Sequence, residues 1–199
     1  MSTASADEMR AKEVCQGIPL PRNFRTDELL ELPVDDFLAK LIEAGEYVIA
    51  IRIIARILPS RDAIWWGMLC AWKHAEGQFV REDEALLGSI FYWVRDPTEK
   101  NQKMVRSLLK PRQREKTVVT HLARAVGKAG FAPGPDKPLK GNPAMTAQSV
   151  ADAIFLAIAS GDKGKRRDDS LSVTTVGLEV RARPGEWVLE DDDKKEPVS

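Results

Sequence analysis

The segment from residue 47 to residue 77, YVIAIRIIARILPSRDAIWWGMLCAWKHAEG, indicates the fold class. Residues 47–58 are apolar on most faces of a helix, yet the run falls short of the roughly 20 apolar residues that a membrane-spanning helix needs. Pro59 ends this helix because proline cannot donate the backbone hydrogen bond. The tryptophan-rich run that follows predicts a second helix, which ends at Gly77. Two apolar helices joined by a tight turn are typical of an all-α core.

The same pattern of apolar stripes and helix-breaking residues continues on both sides of this segment. Apolar residues recur at the helical spacing of three and four, and proline or glycine stands at most of the intervals between the runs. The connections are short and no fixed repeat period is present, so we predict an irregular bundle of about seven short antiparallel helices. The predicted helices span residues 34–44, 46–58, 63–75, 82–94, 98–109, 112–128 and 147–160.

The two flanks of the chain differ in character from this helical part. Residues 1–33 mix charges, glycine and proline with few periodic apolar positions, so we predict a flexible leader before a helical domain at 34–161. Residues 162–199 begin with a basic cluster and end in an acidic run. We expect this tail to be polar and largely disordered, with a short β-hairpin between Ser172 and Leu189 that turns at Pro184-Gly185.

Composition and charge narrow the classes of function. The chain has 30 basic and 30 acidic side chains, which cancel and leave no overall field to attract nucleic acid or an anionic membrane. The first 14 residues carry charges and no apolar stretch, unlike a secretory signal. We therefore expect a cytoplasmic protein with reduced cysteines, no membrane insertion and no nucleic-acid partner.

Cys70 and His74 are the one pair that suggests an enzymatic reaction. They stand four residues apart on a predicted helix, so an imidazole could activate a neighbouring thiolate, and a thiol-dependent enzyme or redox-sensitive protein is the alternative hypothesis. Cysteine is, however, among the residue types that are most often buried. Neither a C-x-x-C nor an H-x-x-H spacing occurs. We therefore assign no catalytic residue and expect neither a metal nor another cofactor.

The tryptophans are the remaining candidates for a binding site. Trp65 and Trp72 share one helix face and are expected in the core, whereas Trp66 points to another face, which could form a groove with Trp93. Aromatic side chains are frequent anchors of protein interfaces. A further tryptophan stands alone before the acidic run and could act as a short linear anchor. The predicted protein-binding residues are Trp66, Lys73, Trp93 and Trp187.

Four short motifs resemble a family of uncharacterised bacterial helical proteins that are often encoded near type VI secretion genes. They are Ala63-Ile-Trp-Trp, Cys70-Ala-Trp, Trp93-Val-Arg-Asp-Pro-Thr-Glu and Met145-Thr-Ala-Gln-Ser-Val-Ala-Asp-Ala-Ile. The resemblance covers residues 41–159 and carries no active-site residues. It implies an accessory, adaptor or chaperone-like protein whose partner is a secretion-system component or an effector.

Overall fold

Helices follow one another along the chain with short connections, and the predicted all-α class is confirmed. The computed structural model describes residues 9–76, 78–134 and 137–186, which contain α-helices, short 3-10 turns and no β-strand. All seven predicted helices are present, as α3 to α9. The helices are α1 (Ala11–Val14), α2 (Asp27–Leu30), α3 (Val34–Glu43), α4 (Tyr47–Ile57), α5 (Ser60–His74), α6 (Arg81–Arg95), α7 (Glu99–Leu109), α8 (Val118–Ala129), α9 (Pro143–Ser160) and α10 (Arg166–Ala182).

The centre of the bundle is formed by α5, α8 and α9, which pack against one another, while α4 and α10 cover α9 and α5 from outside. Their shared core contains isoleucine, leucine, valine and alanine side chains around the ring of Trp66. By length and composition, α9 is the one helix in the described ranges that could cross a membrane. Half of it is buried inside the bundle, as expected for a core helix.

The prediction of a disordered tail with a hairpin is wrong for residues 166–182, which form α10. Val173, Thr174, Gly177 and Val180 are buried at helical spacing, and the side chain of Arg181 pairs with Asp35 of α3. Valine and threonine favour strands as isolated residues, so the local pattern resembled a hairpin. Packing against the core outweighs that preference. The end of the predicted hairpin, residues 187–189, lies outside the described residues.

The prediction of a flexible leader is wrong for residues 9–33. The apolar side chains of Ala11, Val14, Ile18, Leu20 and Phe24 are buried. The ring of Phe24 meets that of Phe37 edge to face at 5.9 Å, and Arg56 Nη1 donates to the carbonyl oxygen of Val14 at 2.7 Å. Both flanks therefore contribute to one continuous core, and the predicted boundaries at 33/34 and 161/162 do not separate domains.

Candidate functional site

A solvent-open apolar groove lies between α5 and α6, with a cavity volume of about 350 Å³. On α5 its residues stand at the spacing i, i+3, i+4 and i+7, which places them on one helix face. Phe79, in the connection between the two helices, also lines the groove. The lining residues are Trp65, Met68, Leu69, Trp72, Phe79, Glu84, Leu87, Gly88 and Phe91.

Aromatic contacts hold the two ends of the groove in shape. The rings of Trp65 and Phe91 are 6.0 Å apart at one end, which links α5 directly to α6. At the other end the rings of Trp72 and Phe79 are 5.7 Å apart. Such tilted ring pairs contribute about 0.5–1.5 kcal/mol beyond the area that they bury. The groove is therefore a formed surface in the free protein.

The groove is apolar where solvent reaches it. Trp72 is 58% exposed, and the neighbouring Val80 and Tyr92 are 61% and 66% exposed. Gly88 leaves a gap in the α6 wall, because a Cβ added there would touch nothing within 4 Å. Clusters of exposed apolar side chains rimmed by polar groups are typical of sites that bind proteins.

The rim of the groove carries opposite charges at its two ends. Glu84 lines the end beside Trp72 and Phe79. At the far end the Arg95 guanidinium lies over the Phe91 ring, with its central carbon 5.8 Å from the ring centroid. A bound segment would therefore meet an acidic end and a basic end.

The predicted groove of Trp66 and Trp93 is wrong, since neither side chain has any exposed surface. Trp66 Nε1 donates to the carbonyl oxygen of Val173 at 2.9 Å, and Trp93 Nε1 donates to that of Gly130 at 3.1 Å. Both rings lie in the core. The prediction that Trp72 lies in the core is also wrong, because 58% of its surface is exposed. The helix α5 is apolar on both faces, so its periodicity does not reveal which face is covered.

The other two predicted binding residues do not line the groove. Lys73 Nζ donates to Ser172 Oγ at 2.5 Å, which ties α5 to α10 on the side away from the groove. Trp187 lies outside the described residues. Among the tryptophans that the structure describes, the exposed one is Trp72. The loop residue Phe79 was not singled out in the sequence because it stands between predicted helices.

The geometry around Cys70 does not favour thiol chemistry. The side chain is buried, and this burial raises the pKa of the Cys70 thiol far above its usual range. His74 Nδ1 lies 3.0 Å from the carbonyl oxygen of Cys70, so the imidazole is hydrogen-bonded to backbone. Within the described ranges no three histidine, cysteine or carboxylate residues stand close enough to hold a metal ion.

We expect Cys70 to resist alkylation in the folded protein, because only a thiolate reacts and burial keeps this thiol protonated at neutral pH. The measurement is the time course of thiol labelling at pH 8 in a Cys15→Ser variant, in buffer and in denaturant. Removing Cys15 leaves Cys70 as the single thiol of the chain, so that all labelling reports on it. Complete labelling in buffer as fast as in denaturant would contradict the burial and favour the thiol-enzyme hypothesis.

Comparison with known proteins places the groove within a family. No curated protein and no solved structure matches the chain. A family of unknown function, DUF6931, matches residues 37–181, which include all of α4 to α9, most of α3 and nearly all of α10. This match covers more than half of the chain and contains both helices of the groove. The chain therefore belongs to the DUF6931 family of unknown function.

Proposed function

We propose that this protein is a cytoplasmic interaction protein, an adaptor or chaperone-like accessory factor, that binds a partner protein in the α5–α6 groove. The observation that carries the proposal is the exposure of Trp72 beside an open apolar groove. A large aromatic side chain left in water costs free energy that a partner recovers by covering it. The groove has the composition of an interface and lacks convergent catalytic groups.

The partner segment that fits this groove is an amphipathic helix. Two neighbouring helices leave a channel into which a third helix can pack, with apolar anchors repeated every three or four residues. The charges of the rim add a direction to this fit. A basic side chain of the partner would lie beside Glu84 and an acidic one beside Arg95.

The proposed partner is a component or an effector of a type VI secretion system. This part of the proposal is supported by the resemblance of the motifs at residues 63–66 and 93–99 to proteins that are encoded near such systems. The first motif lies on α5, and the second begins on α6 and ends at the start of α7. Each motif thus has residues on one of the two helices that form the groove.

Replacing Trp72 with aspartate should weaken partner binding by about tenfold or more, because a charge replaces the exposed anchor of the groove. The experiment captures the tagged full chain from its native bacterium and identifies the secretion proteins recovered. The affinity of one recovered protein is then measured with purified components. Met104→Asp is the matched control, since Met104 is 53% exposed on α7 and lies outside the groove.

We expect the control to retain the secretion partner and the Trp72 variant to lose it. Equal affinity of both variants for that partner would show that the groove is not the binding site. Recovery of no secretion component or effector with the wild-type chain would overturn the secretion part of the proposal.

A further inference from the structure

A second pocket, of about 950 Å³, lies at the end of the bundle where α5 begins and α6 ends. Its walls come from the α4–α5 turn, the α6–α7 turn, the loop before α9 and the turn after α10. Proline rings pack well against aromatic rings, which is how aromatic grooves bind proline-rich segments. The pocket therefore suits an aromatic side chain. Its lining is mostly apolar and includes six prolines, Pro59, Pro97, Pro133, Pro138, Pro143 and Pro184.

A tight turn after α10 carries the chain along the wall of this pocket. Glu186 N donates to the carbonyl oxygen of Arg183 at 3.3 Å, and Gly185 between them has a φ of 82°. Proline followed by a glycine of positive φ is typical of a type II turn. Gly185 N donates to Asp62 Oδ1 at 3.2 Å, which fixes the turn to the start of α5. Pro184 and Gly185 also line the pocket.

The next apolar residues along the chain are Trp187, Val188 and Leu189, which lie outside the described residues. Trp187 stands two residues after Gly185, so at most about 7 Å separates their Cα atoms even in an extended chain. A segment tethered by so short a linker has an effective concentration in the millimolar range. Modest affinity is therefore enough for this segment to fill the pocket.

Arg61 supplies a cationic surface for an aromatic ring in the pocket wall. Its Nε donates to the carbonyl oxygen of Val94 at 2.9 Å, and its Nη2 donates to that of Arg95 at 3.0 Å. These bonds hold the guanidinium against the end of α6 and lie in its plane, whereas an aromatic ring stacks on the face of that plane. Tryptophan is the aromatic side chain that gains most from such a cation–π contact.

We propose that the segment Trp187-Val188-Leu189 of this chain binds in the proline-lined pocket, with the Trp187 indole stacked on the Arg61 guanidinium. The bound segment closes this end of the bundle. It also holds the end of α10 against α5, whose other end is tied to α10 by the bond from Lys73 to Ser172. Among the described residues this pocket and the α5–α6 groove have no lining residue in common. The proposal therefore does not rest on the proposed function.

A peptide that competes with the chain's own segment tests this proposal. The probe is a fluorescein-labelled peptide of residues 186–193, and its fluorescence polarisation is measured with the full-length wild-type chain and with Trp187→Ala. The variant should bind the peptide at least about tenfold more tightly, because the wild-type pocket is already occupied. Leu171→Ala changes an exposed side chain of α10 and is the control, which should bind as weakly as the wild type. A peptide with alanine in place of the tryptophan should not bind Trp187→Ala.

Cross-linking then locates the site on the Trp187→Ala chain. A photoreactive benzophenone side chain replaces the valine of the peptide, and mass spectrometry identifies the residues to which it becomes attached. We expect attachment within residues 59–62, 96–98 or 132–143. Attachment elsewhere, such as to residues 65–72 of the α5–α6 groove, would overturn the proposal. Equal affinity of the peptide for the wild-type and Trp187→Ala chains, or binding to neither, would also overturn it.

Discussion

Replacing Trp66 with alanine is expected to lower the free energy of unfolding by about 3–5 kcal/mol, the usual cost of removing a large buried aromatic side chain. The Trp66 ring is fully buried, and its Nε1 donates to the carbonyl oxygen of Val173 in α10. The substitution would leave a cavity between α5 and α10 and remove this hydrogen bond. Urea unfolding followed by circular dichroism measures the change.

The matched control for this prediction is Trp72→Ala on the same helix. Trp72 is 58% exposed, so its loss should change the free energy of unfolding by about 0.5 kcal/mol or less. A similar loss of stability in the two variants would contradict the assignment of Trp66 to the core and Trp72 to the surface. The comparison separates a structural tryptophan from a binding one.

Replacing Gly177 with alanine should lower the free energy of unfolding by about 1–3 kcal/mol, as overpacking of a core does. A Cβ at this position would lie 2.7 Å from Trp66 Cε2 and 2.9 Å from Ile54 Cγ2. Both neighbours are fully buried, so α10 would have to move away from the bundle. Thermal and urea unfolding of the variant test this expectation.

Gly127→Ala is the control for the intrinsic effect of alanine in a helix. Gly127 lies within α8, and a Cβ there would touch nothing within 4 Å. This variant should gain stability of up to about 1 kcal/mol, because alanine favours the helix more than glycine does. If Gly177→Ala were stabilising by the same amount, α10 would not pack closely against Trp66.

The helices α3 to α9 were predictable because their signals are local. Pro59 separates α4 from α5, and Gly45 ends α3 with a positive φ of 75°, a conformation that glycine adopts without strain. The start of α8 was placed too early, at residue 112. The structure begins it at Val118, after Thr117 and Thr120 form a reciprocal capping box. Such caps depend on side-chain geometry more than on apolar spacing.

The binding face was harder to predict because α5 is apolar nearly all round. Trp65 and Trp66 are adjacent in sequence and both are buried, while Trp72 on the Trp65 face is open to solvent. A periodic stripe identifies a face that prefers burial and does not say whether another element covers it. Phe79 meets the Trp72 ring from one side, yet 58% of the Trp72 surface stays exposed, and this leaves the groove open.

Local patterns in the sequence were enough to predict the all-α class and the positions of the central helices, because proline, glycine and apolar spacing act over a few residues. The exposure of Trp72 and the helix at residues 166–182 depend instead on how the helices pack. The contacts involved join residues far apart in the chain: Trp66 is 107 residues from Val173, to which it is hydrogen-bonded. Burial at such separations depends on the packing of all helices together, and no local pattern contains it.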